Sequence, residues 1–162
     1  MVKLKHLPVY SGRCVLLLLM PLLVVSAGLA AFQDDYDRAF KKYQASRSNS
    51  DYESAAAAFA ALSARSDAGS LRPNCIYWEG ECWYGAKEYL RALMAFERTL
   101  VTPQSNKEED ARFKVAVCHV KLNWNDSAKV ELSRFLRDFP ASRHIAAVRR
   151  ELDRLTAESG GR

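Results

Sequence analysis

Glycine and proline are scarce, seven and five among 162 residues, and no stretch alternates apolar with polar side chains over more than a few positions. The first scarcity gives a globular rather than a low-complexity profile. The second leaves no half-buried strand and so no β-architecture. Chemistry-bearing patterns are missing too. Beyond the first 30 residues the histidines are His119 and His144, neither with a second histidine at zinc spacing. No glycine-rich phosphate loop and no nucleophile elbow occurs. Cys118 and His119 are adjacent, but neighbours on a helix diverge by about 100°, so they form no thiol–imidazole pair. Glu79 and Glu81 diverge likewise and are expected on a solvated face. These gaps point away from an enzyme, with no cofactor and no metal expected. Asn125-Asp126-Ser127 fits a glycosylation sequon, yet its place after an apolar helix reads as helix capping.

Charge of one sign is also lacking. Three of the 24 basic residues, Lys3, Lys5 and Arg13, lie in the first 30 positions, which leaves 21 against 19 acidic residues in the remainder. That balance is no electrostatic footprint for nucleic acid, which is excluded as a partner. Cysteines number four. Cys75 and Cys82 fall two turns apart on one expected helix, about 10 Å by helical rise, and a disulfide needs Cα atoms within ~7 Å. With Cys118 they read as buried free thiols acting as small apolar side chains.

What is present begins with a leader. Lys3, Lys5 and Arg13 precede an apolar run from Cys14 to Val25, followed by the small residues Ser26, Ala27, Gly28, Ala30 and Ala31. This is the order of a secretory signal, with cleavage expected after Ala30. An uncleaved anchor over 14–32 is the competing reading, since 19 uncharged residues approach the ~20 that cross a bilayer. In either case the remainder is expected outside the inner membrane, which the chain meets only through an uncleaved leader. Cys14 stands before the apolar run, where a lipidated cysteine would not.

The second positive feature is internal repetition. A shift of 36 residues places Gly80 on Ala116, Cys82 on Cys118, Ala92 on Ala128 and Phe96 on Leu132. A shift of 37 the other way places Tyr89 on Tyr52, Ala92 on Ala55 and Phe96 on Phe59. Small residues recurring at such a period mark helical hairpins of tetratricopeptide type, whose repeat is ~34 residues. The expected fold is therefore all-α, a solenoid of about three hairpins over 35–69, 70–105 and 106–141, with a capping helix over 142–159. Helix starts are expected at the capping boxes Ser50/Glu53 and Ser105/Glu108, and at Ser70 and Ser142. Gly85 is expected as a helix stop. The first inter-helix turn reads as enlarged by Arg47, Ser48, Asn49 and Ser50. In the capping helix, Ile145, Val148, Leu152 and Leu155 form one apolar stripe.

Tyr77-Trp78-Glu79-Gly80-Glu81 with Tyr89, Ala92 and Phe96 resembles the central repeat of the Tol-Pal-associated cell division coordinators, the CpoB family. The segment from Val115 to Leu122, with Ala128 and Phe139-Pro140, is similar to that family's next repeat, and Tyr36-Asp37-Arg38-Ala39-Phe40 to its opening helix. The resemblance implies a periplasmic adaptor that contacts the Tol machinery and couples envelope constriction to wall synthesis. Two other readings stand beside it: an accessory protein of outer-membrane assembly or secretion, and, in another class, a thiol redox protein.

In stacked hairpins the first helix of each pair lines the concave side. That places Tyr36, Phe40 and Tyr43 from the first repeat, Tyr77, Glu81 and Tyr84 from the second, and Phe113, Val117 and Lys121 from the third along one groove. The expected partner is an envelope protein, or a peptide segment of one, with Tyr77 and Tyr84 as principal contacts. Trp78, Trp83 and Trp124 are expected in core or rim packing.

Overall fold

The computed structural model describes residues 30–103 and 105–160, with side chains as far as 158. The expected leader lies, up to residue 29, outside the described residues. Among the described residues there is no strand, and the chain is all-α. The helices are α1 (30–45), α2 (Asn49–Ala64), α3 (Arg72–Gly85), α4 (Tyr89–Val101), α5 (Glu108–Lys121), α6 (Asn125–Asp138) and α7 (Ile145–Gly160), with a 3₁₀ turn at Ser66–Leu71. No described helix is long and apolar enough to cross a membrane. Phe32, at the end of the apolar stretch that began at Cys14, is fully buried, with the Arg65 guanidinium 5.0 Å above its ring. The folded domain thus claims the last residue of the 14–32 stretch.

The helix ends explain the repeat better than the expected caps do. Between α3 and α4, Ala86 N–H donates to the Cys82 carbonyl, Lys87 to Tyr84 and Glu88 to Trp83. Between α5 and α6, Leu122 donates to Cys118, Asn123 to Val120 and Trp124 to His119. Every donor and acceptor is displaced by 36 residues. The residues that reverse the chain, Lys87 at φ 63° and Asn123 at φ 58°, occupy the left-handed conformation that ends many helices with a 6→1 bond. Gly85 is not that stop: it is the last residue of α3, and it is small because a Cβ there would stand 2.6 Å from the Tyr52 ring.

Several other expected helix boundaries are corrected. The first inter-helix turn is not enlarged. It spans residues 46–48, three residues like the other two turns, and the surplus residues wind into an extra first turn of α2. The capping box there is Ser48 with Asp51, not Ser50 with Glu53: Ser48 Oγ accepts from Asp51 N–H at 3.2 Å while the Asp51 carboxylate accepts from Ser48 N–H at 3.0 Å. Ser105 Oγ accepts from Lys107 N–H instead of capping α5, whose first turn carries Glu108, Glu109 and Asp110 against the helix dipole. Ser70 caps nothing; α3 opens after Leu71 with Pro73 in its first turn. Asn125 opens α6 from inside the helix, after Trp124 as N-cap, with no side-chain cap.

Packing is sequential. α2 through α7 each lie against the next helix, and the buried apolar residues divide into three clusters. Phe32, Ala55, Phe59, Cys75 and Cys82 form the first, between α1, α2 and α3. Tyr77, Ala92, Phe96, Ala111, Val115 and Cys118 form the second, between α3, α4 and α5. Ala116, Ala128, Leu132, Phe135, Val148 and Leu155 form the third, between α5, α6 and α7. α3 and α5 are each buried on two faces and belong to two clusters.

Within the second and third hairpins the aligned pairs are complementary in size. Gly80 lies against Phe96, and a Cβ on it would come within 2.7 Å of that ring. Thirty-six residues on, Ala116 and Leu132 share one cluster. Helix propensity alone favours Gly80→Ala by about 1 kcal/mol, while overpacking a filled core costs about 1–3 kcal/mol. Gly80→Ala is expected to be destabilising, and Phe96→Leu in the same chain to restore most of the loss. Urea unfolding of the two single variants and the double variant measures this; strictly additive effects would refute the proposed fit.

Candidate functional site

α1, α3, α5 and the segment entering α7 lie side by side, and their side chains meet in one row. Phe40 and Tyr43 of α1 pack on Trp78 of α3 with ring centroids 4.8 and 5.2 Å apart. Between α3 and α5, Lys114 Nζ lies 2.7 and 2.9 Å from the two oxygens of Glu81 and 4.8 Å from the centre of the Tyr84 ring. Lys107 Nζ stands 5.5 Å over Tyr77. Between α5 and α7, Arg143 donates to Asp110 at 2.6 Å, His144 Nε2 is 3.2 Å from the same oxygen, and Ser142 Oγ donates to Glu109. The His144 ring stacks on Phe113 at 4.1 Å and 9°. The pairs Glu81–Lys114, Glu109–Ser142 and Asp110–Arg143 are each 33 residues apart.

The nine residues expected in a groove separate into three groups. Tyr36, Phe40 and Tyr43 are half-buried and form part of the first core, Tyr36 edge-on to Phe59 at 5.8 Å. Tyr77 is corrected outright. It is 7% exposed, beneath Lys107 and beside Phe96, so truncating it would report on folding and not on a partner. Burial, with the negative charges of Glu81 and Asp110, drives its phenol far above the ordinary range. Tyr84 is half-buried, packed on the second core and against the Tyr89 ring at 5.4 Å, and Glu81 is held by Lys114. Phe113, Val117 and Lys121 line a cavity of about 280 Å³ between α5 and α7. The turns also reset the alignment by one residue: Lys121 corresponds to Gly85, and Tyr84 to Val120.

Glu79 and Glu81 are not on a solvated face. The side chains of Glu79 and Glu81 are 10% and 12% exposed, paired with Arg98 and Lys114. A carboxylate this deep needs a fixed partner, because removing one member leaves an uncompensated charge. Residue-by-residue reading overlooked Lys114, Asp110, Arg143 and His144. The signal that would have found them is opposite charge recurring at 33 residues. A further feature is the outward face of α4, where Leu90, Met94 and Val101 lie exposed at spacings of four and seven.

The three described cysteines are free and buried. Burial pushes the Cys75 thiol up to about 11, and burial joined by the charges of Glu81 and Glu79 pushes Cys82 up to about 12. Cys118 is likewise pushed up to about 12, chiefly by burial. Thiolate is the reactive form. In the native state these three are therefore expected to react with a disulfide reagent only at the rate of unfolding; a fast-reacting thiol among them would restore redox chemistry as a candidate. No group of three or more metal-ligating side chains occurs among the described residues.

Asp110 ties the row to the end helix. Burial alone pushes its carboxyl up, but hydrogen bonds from His144 and Arg143, with the charges of Arg143 and Lys107, outweigh this and hold it below the ordinary value. A depressed folded value means the contribution is complete above the ordinary carboxylate pKa of about 4 and fades as pH falls through the folded one. Asp110→Asn is expected to lower stability by about 1–2 kcal/mol at neutral pH, with the difference shrinking toward about pH 2 in urea melts. An equal cost at both pH values would contradict the assignment.

Comparison of the chain with protein-family models gave no match, and comparison with curated proteins gave none.

Proposed function

We propose that the chain is a non-enzymatic scaffold that binds other proteins, built as a tetratricopeptide-type solenoid of three hairpins and an end helix. Its working surface is the row formed by α1, α3, α5 and α7. The observation that carries this reading is the matched step of the second and third hairpins: their turns carry the same bonds at 36 residues, and inter-helix pairs recur at 33. Hairpins displaced by a constant step leave their first helices on one side, where a segment of another protein can lie across them. Tyr43 and Tyr84 give that side rigid aromatic area with neutral hydroxyls. Burial, with the charge of Glu81, pushes the Tyr43 phenol up to about 12, and burial raises Tyr84. Such side chains offer large contact area at little entropic cost. Buried, poorly ionised thiols do not favour the redox alternative.

A place in the bacterial periplasm, and association with the Tol-Pal system and cell division, rest on the leader-like first 30 residues and on the resemblance of the Tyr77–Phe96 and Val115–Pro140 segments. The test is photo-crosslinking in the intact cell envelope, with a benzophenone side chain placed in turn at positions 43, 84 and 121 of the row and at 94 and 101 of α4. The same attached protein is expected from the first three positions and not from the last two. Attachment through α4 alone, or through none, would overturn the reading. A Tol component among the attached proteins would support the pathway, and a different envelope protein would remove it while keeping the scaffold.

A further inference from the structure

The seam between α3 and α5 and the seam between α5 and α7 are related by 36 residues, yet they are filled differently. Between α3 and α5 the seam is closed by Tyr84, by the Glu81–Lys114 pair and, beneath them, by Phe96. Moved on by 36 residues, Glu81 becomes Val117, Tyr84 becomes Val120 and Phe96 becomes Leu132. Each replacement is smaller, and the two charged or hydroxylated side chains become apolar. The consequence is the cavity of about 280 Å³ between α5 and α7, walled by Phe113, Val117, Leu132 and Val148. This lies just under the roughly 300–1,000 Å³ of sites that hold whole small molecules, so it suits one or two side chains of a larger partner.

Its mouth carries a sign. Glu151 is the acid in the lining, and Arg154 neutralises it, at 2.5 Å, while also reaching Glu158 at 2.6 Å. Lys121 and Arg150 also line the notch. Both are exposed, and among the described residues neither forms an ion pair, although Lys121 lies within the field of Glu151. Two cations over an apolar floor leave the mouth net positive.

We infer that the notch between α5 and α7 is the specificity pocket of the row, receiving one large apolar side chain from a partner segment that carries a carboxylate within two residues of it. The inference rests on the scaffold reading and adds to it the chemistry of the partner. The floor supplies burial for a leucine, methionine or phenylalanine side chain, and Lys121 and Arg150 orient the segment by its acidic neighbour.

The test is selection of random dodecapeptides displayed on phage against the full-length chain in mild non-ionic detergent, followed by affinity measurements with the enriched peptides. Enrichment of a large apolar residue with Asp or Glu close by is expected. Joint Lys121→Gln and Arg150→Gln substitution should weaken binding roughly tenfold, and Val117→Trp should abolish it by filling the notch. Lys121→Glu with Arg150→Glu should transfer binding to peptides in which lysine replaces the acid; unchanged far-ultraviolet circular dichroism certifies the fold of each variant. Peptides that lack acids, or that ignore these substitutions and are lost on Tyr43→Ala with Tyr84→Ala, would overturn the pocket and leave the scaffold reading standing. Failure to enrich any peptide would count against both.

Discussion

A hydrogen is all that stands between the α3 backbone and the Phe96 ring at Gly80, where a methyl group would come within 2.7 Å. That close approach sets the separation of α3 and α4, and much else follows from it. With α4 seated tightly, the ring of Phe96 is fully buried, and Tyr77 is drawn into the same cluster as Ala111 and Val115 of α5. α5 is thereby fixed beside α3. Its opposite face, with Ala116 and Phe113, then receives α6 and α7. Small residues at the crossings are what allow one helix to serve two cores, and helices shared between cores are what make the packing sequential. A protein interior has little slack with which to absorb a displaced helix.

Charge decides the lateral order that apolar packing leaves loose. Apolar contact is non-directional, so the clusters alone would tolerate some sliding of α3 past α5 or of α5 past α7. The Glu81–Lys114 pair, with side chains 12% and 20% exposed, and the Asp110–Arg143–His144 group pin those two seams. Partial burial makes such pairs more than ornaments of the surface, since either member without the other would be a poorly solvated charge. The pairing also engages Glu81, Lys114, Asp110 and Arg143 at the centre of the row. At its end Lys121 and Arg150 flank the α5–α7 seam, which smaller side chains left open.

The helix boundaries show where reading residues in order succeeds and where it fails. Turns after α3 and α5 carry matching bonds at 36 residues, although one uses Lys87 and the other Asn123 at positive φ. Only the latter is a residue type that advertises this conformation. At Arg47–Ser50 the surplus residues looked like a loop because the helical hydrophobic pattern had not yet begun. In the fold Arg47 and Ser48 stay in the turn, and Asn49 and Ser50 begin α2, whose start is fixed by the reciprocal bonds of Ser48 and Asp51. Ser50, Ser105 and Ser70 had the right chemistry for caps, but a cap forms only where the backbone leaves the helix, and packing of the flanking helices chose other points.

The sequence by itself determined the helical character, the period, and which positions would be small and buried: Gly80, Ala92, Cys118 and Ala128 were legible because a helix presents the same face every three or four residues whatever surrounds it. The tertiary structure alone decided who covers whom. Tyr77 and Tyr84 stand seven residues apart on one helix and look equivalent in the chain, yet one is buried under Lys107 and beside Phe96 while the other is only half-buried, under Lys114. The apolar lining of the α5–α7 notch likewise depended on residues from three helices. Such distinctions are set by neighbours some thirty residues away, and local periodicity holds no record of how large those neighbours are or which charge they bring.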